Sequence, residues 1–433
     1  MGQCLSQVNP GSHPALFWEN PEAMSQMSRC SYMRNPDSGQ VITGEIGSSV
    51  LGYQYSTSRL RGSVGMDQVW VSRAATAEAA VTHRHLKRLW ALPGTQLGVV
   101  SWPPHWRDRL FTTWHYWWQA QLLDCLVDAQ LRDPQPARCV KIDRQVRSHW
   151  LRNNRSWTNN YYDDMAWLAL ALERAARVAG VQRRRALPKL NDQLVKAWVP
   201  EDGGGIPWRK QDQFFNTPAN GPAGIFLARY GDRLRRAEQM ADWIDRTLID
   251  PETHLVFDGI KAGSLVRVQY TYCQGVVLGL ETELAVRTDP TAAARHAARV
   301  HRMVAAVNTH MAPSGVLRGA GGGDGGLFAG ITARYLALVA TTLPGDLPED
   351  VAARQTARTL VLSSAKSAWD YRQFVNGLPV FGPFWDRETQ LPTAEGEQVR
   401  LVGGAVQSSE VAERDLSVQL SGWMLMEAAC SVT

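Results

Sequence analysis

Cysteine is scarce in this 433-residue chain: there are six, Cys4, Cys30, Cys125, Cys139, Cys273 and Cys430, far apart and in no metal-ligand spacing. That argues against a disulfide framework and a closed cysteine–zinc shell. Three of the six fall in apolar helical stretches, which points to reduced, buried thiols. No run reaches the roughly 20 apolar residues of a membrane span, and the start lacks the charged region and apolar core of a secretory signal, so a cytoplasmic protein is expected. Met1-Gly2-Gln3-Cys4-Leu5-Ser6 formally fits an acylation pattern, with no other sign of an anchor. An excess of one charge sign is also missing: 46 Lys and Arg face 41 Asp and Glu, and Arg183, Arg184 and Arg185 are interleaved with acids rather than joined in a stripe. A nucleic-acid partner is therefore not indicated.

What the chain does have is helix-forming apolar sequence and tryptophan. Hydrophobic residues make up 44% and charged residues 20%, enough for a large core. The 17 Trp exceed what a core built from Leu, Ile and Val needs, and indole faces suit flat apolar ligand surfaces such as sugar rings. Residues 1–65 are rich in Gly, Ser, Pro and Asn without periodicity and read as a disordered extension, or as sequence upstream of the true start. From Met66 to the C-terminus the pattern is that of one helical domain.

Six segments, near 112–131, 160–178, 218–230, 270–286, 326–341 and 415–430, are apolar nearly all round and read as inner helices. Six amphipathic segments, near 66–90, 138–151, 186–198, 233–249, 290–310 and 348–366, read as outer helices. Their alternation at a spacing of roughly fifty to sixty residues is the mark of stacked supersecondary units. Six such hairpins close into an all-α (α/α)6 barrel. Links from inner to outer helices are short, as at Gly231-Asp232 and Asp289-Pro290, whereas 91–111, 199–217, 250–269, 312–325 and 367–414 are long. The long links emerge on one rim, so the active face is expected at the N-terminal ends of the inner helices.

Trp157 to Leu170 passes from polar residues into an apolar helix, with Asp163 and Asp164 at its start. The plain reading is that Asn159 or Asn160 caps the helix and the two aspartates complement its dipole. The sharper reading is catalytic. Adjacent helical residues have Cα atoms about 3.8 Å apart, and retaining glycosidases need two carboxyl groups about 5–5.5 Å apart. Mutual repulsion would help keep one of them protonated, as an acid requires. Neither consideration says which aspartate plays which part.

Asn160-Tyr161-Tyr162-Asp163-Asp164-Met165-Ala166-Trp167 resembles the signature of glycoside hydrolase family 76, the endo-α-1,6-mannanases. Gly203 to Trp208, Asn216 to Pro222, Tyr270-Thr271-Tyr272, Gln274-Gly275, Gly323 to Gly326 and Gln419 to Trp423 resemble further family segments in the same order. The resemblance runs from about residue 66 to the end. It implies an (α/α)6 barrel and retaining hydrolysis of an α-1,6-mannan, with Asp163 as nucleophile, Asp164 as general acid/base and no cofactor or metal. Tyr161, Tyr162, Trp208, Asn216, Thr217, Asn220, Tyr272, Gln274 and Asp324 are the candidate substrate contacts; capping and turn roles compete for Asn216, Thr217, Asn220 and the glycines before Trp208. Asp324 lies in a Gly-rich loop without the Lys of a phosphate-binding loop and could accept from vicinal hydroxyls. A monomer is the expected state.

Cys273 departs from the family, which is expected to carry Asn there, and puts subsite affinity in question. The insertion between Trp369 and Arg414 could cover one end of the cleft, with Trp369, Tyr371, Phe384 and Trp385 as candidate contacts against a competing core role. His83 and His85 read as surface or capping residues, while His105 and His115 lie nearer the rim. Open alternatives are a transglycosidase on the same glycan, a non-catalytic mannan-binding protein and a sugar epimerase on the same barrel. A prenyl-diphosphate cyclase would need more acids one turn on, where Trp167 and Leu168 stand.

Overall fold

A computed structural model describes residues 68–433 apart from 201, 202, 395 and 398. The extension expected over 1–65, with Cys4, Cys30 and the acylation-like start, lies outside the described residues. The rest is mostly helical, with thirteen α-helices among the described residues. In chain order these are α1 (Gln68–His85), the short α2 (Trp106–Arg109), α3 (Tyr116–Arg132), α4 (Pro136–Arg152), α5 (Tyr162–Ala179), α6 (Ala186–Lys196) and α7 (Thr217–Arg229). They continue with α8 (Leu234–Thr247), α9 (Thr271–Arg287), α10 (Pro290–Ala306), α11 (Phe328–Thr342), α12 (Pro348–Asp370) and α13 (Leu416–Val432).

Helices α3, α5, α7, α9, α11 and α13 touch one another in that order, and α13 returns to α3, so the cycle closes. Helices α1, α4, α6, α8, α10 and α12 pack against this cycle. Burial explains the two sets. Every residue of α13 except Ser431 is buried. In α8 only Ala237, Met240, Ala241, Trp243 and Ile244 are, which is one face of a 3.6-residue period. Close approach of α9 to α11 depends on glycine: a Cβ at Gly275 would lie 2.8 Å from Thr332 Cα.

Buried charge also ties the cycle. Asp124 and Asp128 of α3 bind Arg174 of α5 and Arg334 of α11, the Asp128–Arg334 pair at 2.6 Å. Removing one partner of such a pair strands a buried charge, so the set fixes helix register more than it adds net stability.

The links are less plain than the sequence suggests. They contain short antiparallel strands: β1 (Leu86–Lys87) with β2 (Leu97–Gly98), a sheet of β3 (Phe214–Asn216), β4 (Gly259–Lys261) and β5 (Ser264–Val266), β6 (Gln373–Val375) with β7 (Leu378–Val380), and β8 (Arg400–Val402) with β9 (Ala405–Gln407). Three turn on pairs of positive-φ residues, Ala262-Gly263, Asn376-Gly377 and Gly403-Gly404, whose twist matches that of the strands they join. No described helix is long and apolar enough to cross a membrane.

Candidate active site

A cleft of about 770 Å³ opens where α3, α5, α9 and α11 begin. Asp163 and Asp164 stand in the first turn of α5 and both line it. The N-cap is Tyr161, with extended backbone and no side-chain capping bond, so neither Asn159 nor Asn160 caps this helix. Asn159 instead accepts from the Tyr161 amide at 2.9 Å and donates to Asp164 Oδ2 at 2.5 Å.

Both oxygens of Asp163 are held: Oδ1 accepts from the Asp164 amide at 2.8 Å and Oδ2 from the Trp208 indole at 2.9 Å. The Trp208 backbone in turn bridges Tyr162 N and Phe214 O. Its position is therefore fixed from the start of α5 on one side and from β3 on the other. Two of the glycines before it pack closely against aromatic rings. Gly204 and Gly205 have φ of +116° and +96° and lie against Trp198 and Trp243, where a Cβ at Gly204 would come within 2.9 Å of Trp198 Cζ2.

Burial dominates the electrostatics. It pushes Asp163 up to about 7, against which the Asp164 amide and the Trp208 indole act, and Asp324 adds a further push upward. Asp164 is driven well above the carboxylate range by burial and then by the charge of Asp163. The two groups are thus set apart: Asp163 accepts two bonds and Asp164 one, which favours the anion on Asp163.

Asp324 is also raised, to about 6, by burial. Its oxygens are committed within the protein: Oδ1 accepts from the indoles of Trp117 at 3.0 Å and Trp118 at 2.8 Å, and Oδ2 from the Val406 amide at 2.6 Å. Asp324 still lines the cleft, and the same carboxylate fastens the β8–β9 hairpin to its wall. Strand β9 also occupies the space beside Gly323, where a Cβ would meet Val406 O at 2.2 Å.

Tyr161, Trp208, Asn216 and Tyr272 reach the cleft with the aspartates. Tyr162, Thr217, Asn220 and Gln274 do not line it. Thr217 Oγ1 donates to Phe257 O, Asn220 bridges both backbone groups of Ile206, and Gln274 does the same for Val256. Tyr162 packs partly against the core. These polar groups hold loops in place, because a buried backbone amide or carbonyl needs a partner as much as a sugar hydroxyl does.

Other expectations are corrected as well. Cys273 is fully buried in the core and does not itself line the cleft, although its thiol lies beside Tyr272 and Asp258, which do. For the aromatics of the insertion the core reading fits better: Trp385 belongs to the core, Trp369 packs against it, and none of Trp369, Tyr371, Phe384 and Trp385 lines the cleft. The insertion reaches it through Val399, Leu401, Gly404, Ala405 and Val406 instead. His85 is fully buried, its Nδ1 2.9 Å from Val99 O, and burial lowers it to about 4. His105 caps α2, whereas His115 lines the cleft.

Sequence reasoning missed Asp258, Trp117 and Trp167. Asp258 faces the cleft near Tyr270 and Tyr272, and burial raises it to about 6. It precedes Gly259, where a Cβ would meet Phe215 O at 2.3 Å; that Asp-Gly step inside a long link was the available signal. Trp117 and Trp167 stack with centroids 6.3 Å apart, and Tyr272 stacks on Phe328 at 4.0 Å. Among the described residues no His, Cys, Asp and Glu group is arranged to hold a metal ion.

Two neighbouring carboxyl groups in an aromatic-walled cleft are a setting that glycoside hydrolases use. The model of glycosyl hydrolase family 76 matches residues 73–421, and the chain belongs to that family. Among solved structures it is similar to the α-1,6-mannanase GH76A of Salegentibacter sp., with 26% identity, a TM-score of 0.70, and coverage of 84% of this chain and 100% of that one. An inactive variant of that mannanase, with two consecutive aspartates changed to asparagine, forms a complex with α-1,6-mannotriose; it matches at 26% identity and a TM-score of 0.69, over 84% of this chain and 100% of that one. The fold is shared with the Bacteroides thetaiotaomicron family 76 mannosidase at 13% identity and a TM-score of 0.63, over 84% of this chain and 98% of the other. Curated proteins yield no match.

Proposed function

We propose that this chain is an (α/α)6-barrel retaining hydrolase of α-1,6-mannan. Ionised Asp163 attacks the anomeric carbon while Asp164 gives its proton to the departing oxygen. Asp164 then takes a proton from water, which opens the glycosyl ester. The observation that carries the reading is the unequal setting of the two carboxyl groups: Asp163 holds two donors that favour its anion, and Asp164 faces that anion in a buried site. The stacked aromatics of the cleft suit the flat faces of pyranose rings. The complex of the Salegentibacter enzyme with α-1,6-mannotriose supports the choice of glycan.

The test is product analysis by mass spectrometry after incubation of α-1,6-mannooligosaccharides with wild type, Asp163→Asn and Asp164→Asn. Wild type should cleave, and each variant should lose roughly 100-fold or more. Undiminished turnover by Asp163→Asn would remove the nucleophile from the scheme. Binding without cleavage by folded wild type would make the chain a mannan-binding protein, and longer products would make it a transglycosidase.

A further inference from the structure

A second concavity, of about 780 Å³, lies between the C-terminal part of α1, the turn joining β1 to β2, and α4. It shares no lining residue with the catalytic cleft. His83, Lys87 and Arg88 stand on one side, Lys141 and Arg144 of α4 on the other, and no carboxylate lines it. Arg147 does not line it but lies at its edge: its guanidinium covers the turn at Gly94, where a Cβ would come within 2.9 Å of Nη1. The nearby carboxylate of α4, Asp143, is turned to Arg183 at 2.6 Å.

The partly buried Arg174, Arg229 and Arg299 each have carboxylate partners. The grouping here is different. The partial negative charge at the end of α1 accounts for His83 and Lys87, whose Nζ donates to His83 O at 2.8 Å. It does not account for Arg88, Lys141 and Arg144, which face the same space from two elements. Like charges gathered in a concavity raise the local potential and attract a multiply charged anion. Planar guanidinium forks beside ammonium groups match the several oxygens of a phosphoryl group.

We propose that this groove binds a phosphoryl anion, a phosphate monoester or diester. The site is independent of the mannanase reading and leaves the catalytic residues untouched. Free phosphates and phospholipid headgroups share this chemistry, and the test separates them. Full-length protein is titrated calorimetrically with inorganic phosphate and with mannose 6-phosphate, and cosedimented with phosphatidylglycerol vesicles at low salt. The same is done with Lys141→Ala/Arg144→Ala and with a control pair on the exposed surface elsewhere, Arg184→Ala/Arg185→Ala.

Saturable binding of a soluble phosphate or of vesicles is expected in wild type and in the control pair. In Lys141→Ala/Arg144→Ala it should weaken at least about 10-fold, with near-ultraviolet circular dichroism and mannan cleavage unchanged. Binding of vesicles alone assigns the headgroup, and binding of the soluble compounds alone assigns a small phosphate. No saturable binding by wild type, or equal binding by Lys141→Ala/Arg144→Ala, overturns the proposal.

Discussion

Replacing Trp208 by Phe removes one donor from the proposed nucleophile and keeps most of the ring. The bond at stake, Trp208 Nε1 to Asp163 Oδ2, is 2.9 Å long and ends on a carboxylate. A hydrogen bond to a charged group is worth about 1.5–3 kcal/mol, and one pK unit corresponds to about 1.4 kcal/mol. Its loss should therefore raise Asp163 by about 1–2 units from its starting point near 7. Attack needs the anion, so the acidic limb of kcat/KM should move to higher pH by the same 1–2 units, roughly, and the rate near neutrality should fall about 5- to 50-fold. Phe retains a ring beside Tyr161 and Phe214, which now lie 5.3 and 5.9 Å from the indole centroid, so the wall should persist. The assay is kcat/KM for an α-1,6-mannooligosaccharide across the pH range for both proteins. A uniform loss with the acidic limb unmoved would show that Trp208 does not set the acidity of Asp163, and the reasoning would fail.

Further outcomes follow from the same geometry. Burial holds Asp163 near 7 in the folded state against 3.8 for the ordinary group, so its contribution favours folding below about pH 4 and is lost as pH rises through about 7. Asp163→Asn should accordingly stabilise the fold by about 2–4 kcal/mol near pH 8 and by almost nothing near pH 3, read from denaturant melts at the two pH values; equal gains at both would contradict the sign. Gly404 has φ +98°, and a Cβ there would lie 2.8 Å from Trp208 Cη2 and 3.0 Å from Tyr161 Oη. Gly404→Val should cost activity roughly 10-fold and lower Tm as well, since a β-branched residue is strained at this φ, and an unaffected kcat/KM would detach the hairpin from the site. Asn220 makes three 2.8 Å bonds, with Ile206 N, Ile206 O and Asn216 O. Asn220→Ala leaves buried backbone groups without partners and should lose about 2–5 kcal/mol in urea unfolding, whereas a loss under about 1 kcal/mol would deny it that bracing role.

The helical architecture was legible because two independent patterns agreed. The inner helices are apolar all round and the outer ones on one face, and short turns such as Asp289-Pro290, where Asp289 caps α10 through the amides of Thr291 and Ala292, mark the boundaries. The aspartate pair was legible from its place at the polar-to-apolar transition of α5. The hairpins were readable but unread: Asn376-Gly377 between Phe374-Val375 and Leu378 is a strong two-residue turn signal. What remained out of reach was the direction of polar side chains. Asn216 and Asn220 begin the same helix, yet one meets the cleft and the other is fully buried beneath Ile206. Both find backbone, Asn216 Oδ1 capping the helix by accepting from the Ala219 amide at 3.1 Å, and only the long-range path of the 199–217 link brings Ile206 to Asn220. The Asp324 carboxylate does line the cleft, but its bonds to Trp117, Trp118 and Val406, partners 207, 206 and 82 residues away, were not legible.

The central claim is a double displacement through Asp163, and the configuration of newly formed product tests it most directly. Proton NMR of an α-1,6-mannooligosaccharide digest, recorded within the first turnovers and before mutarotation, should show the α-anomer of the new reducing end, later relaxing toward the equilibrium mixture. The β-anomer appearing first would mean direct attack by water. That result would contradict the account, because it would leave Asp163 no covalent role.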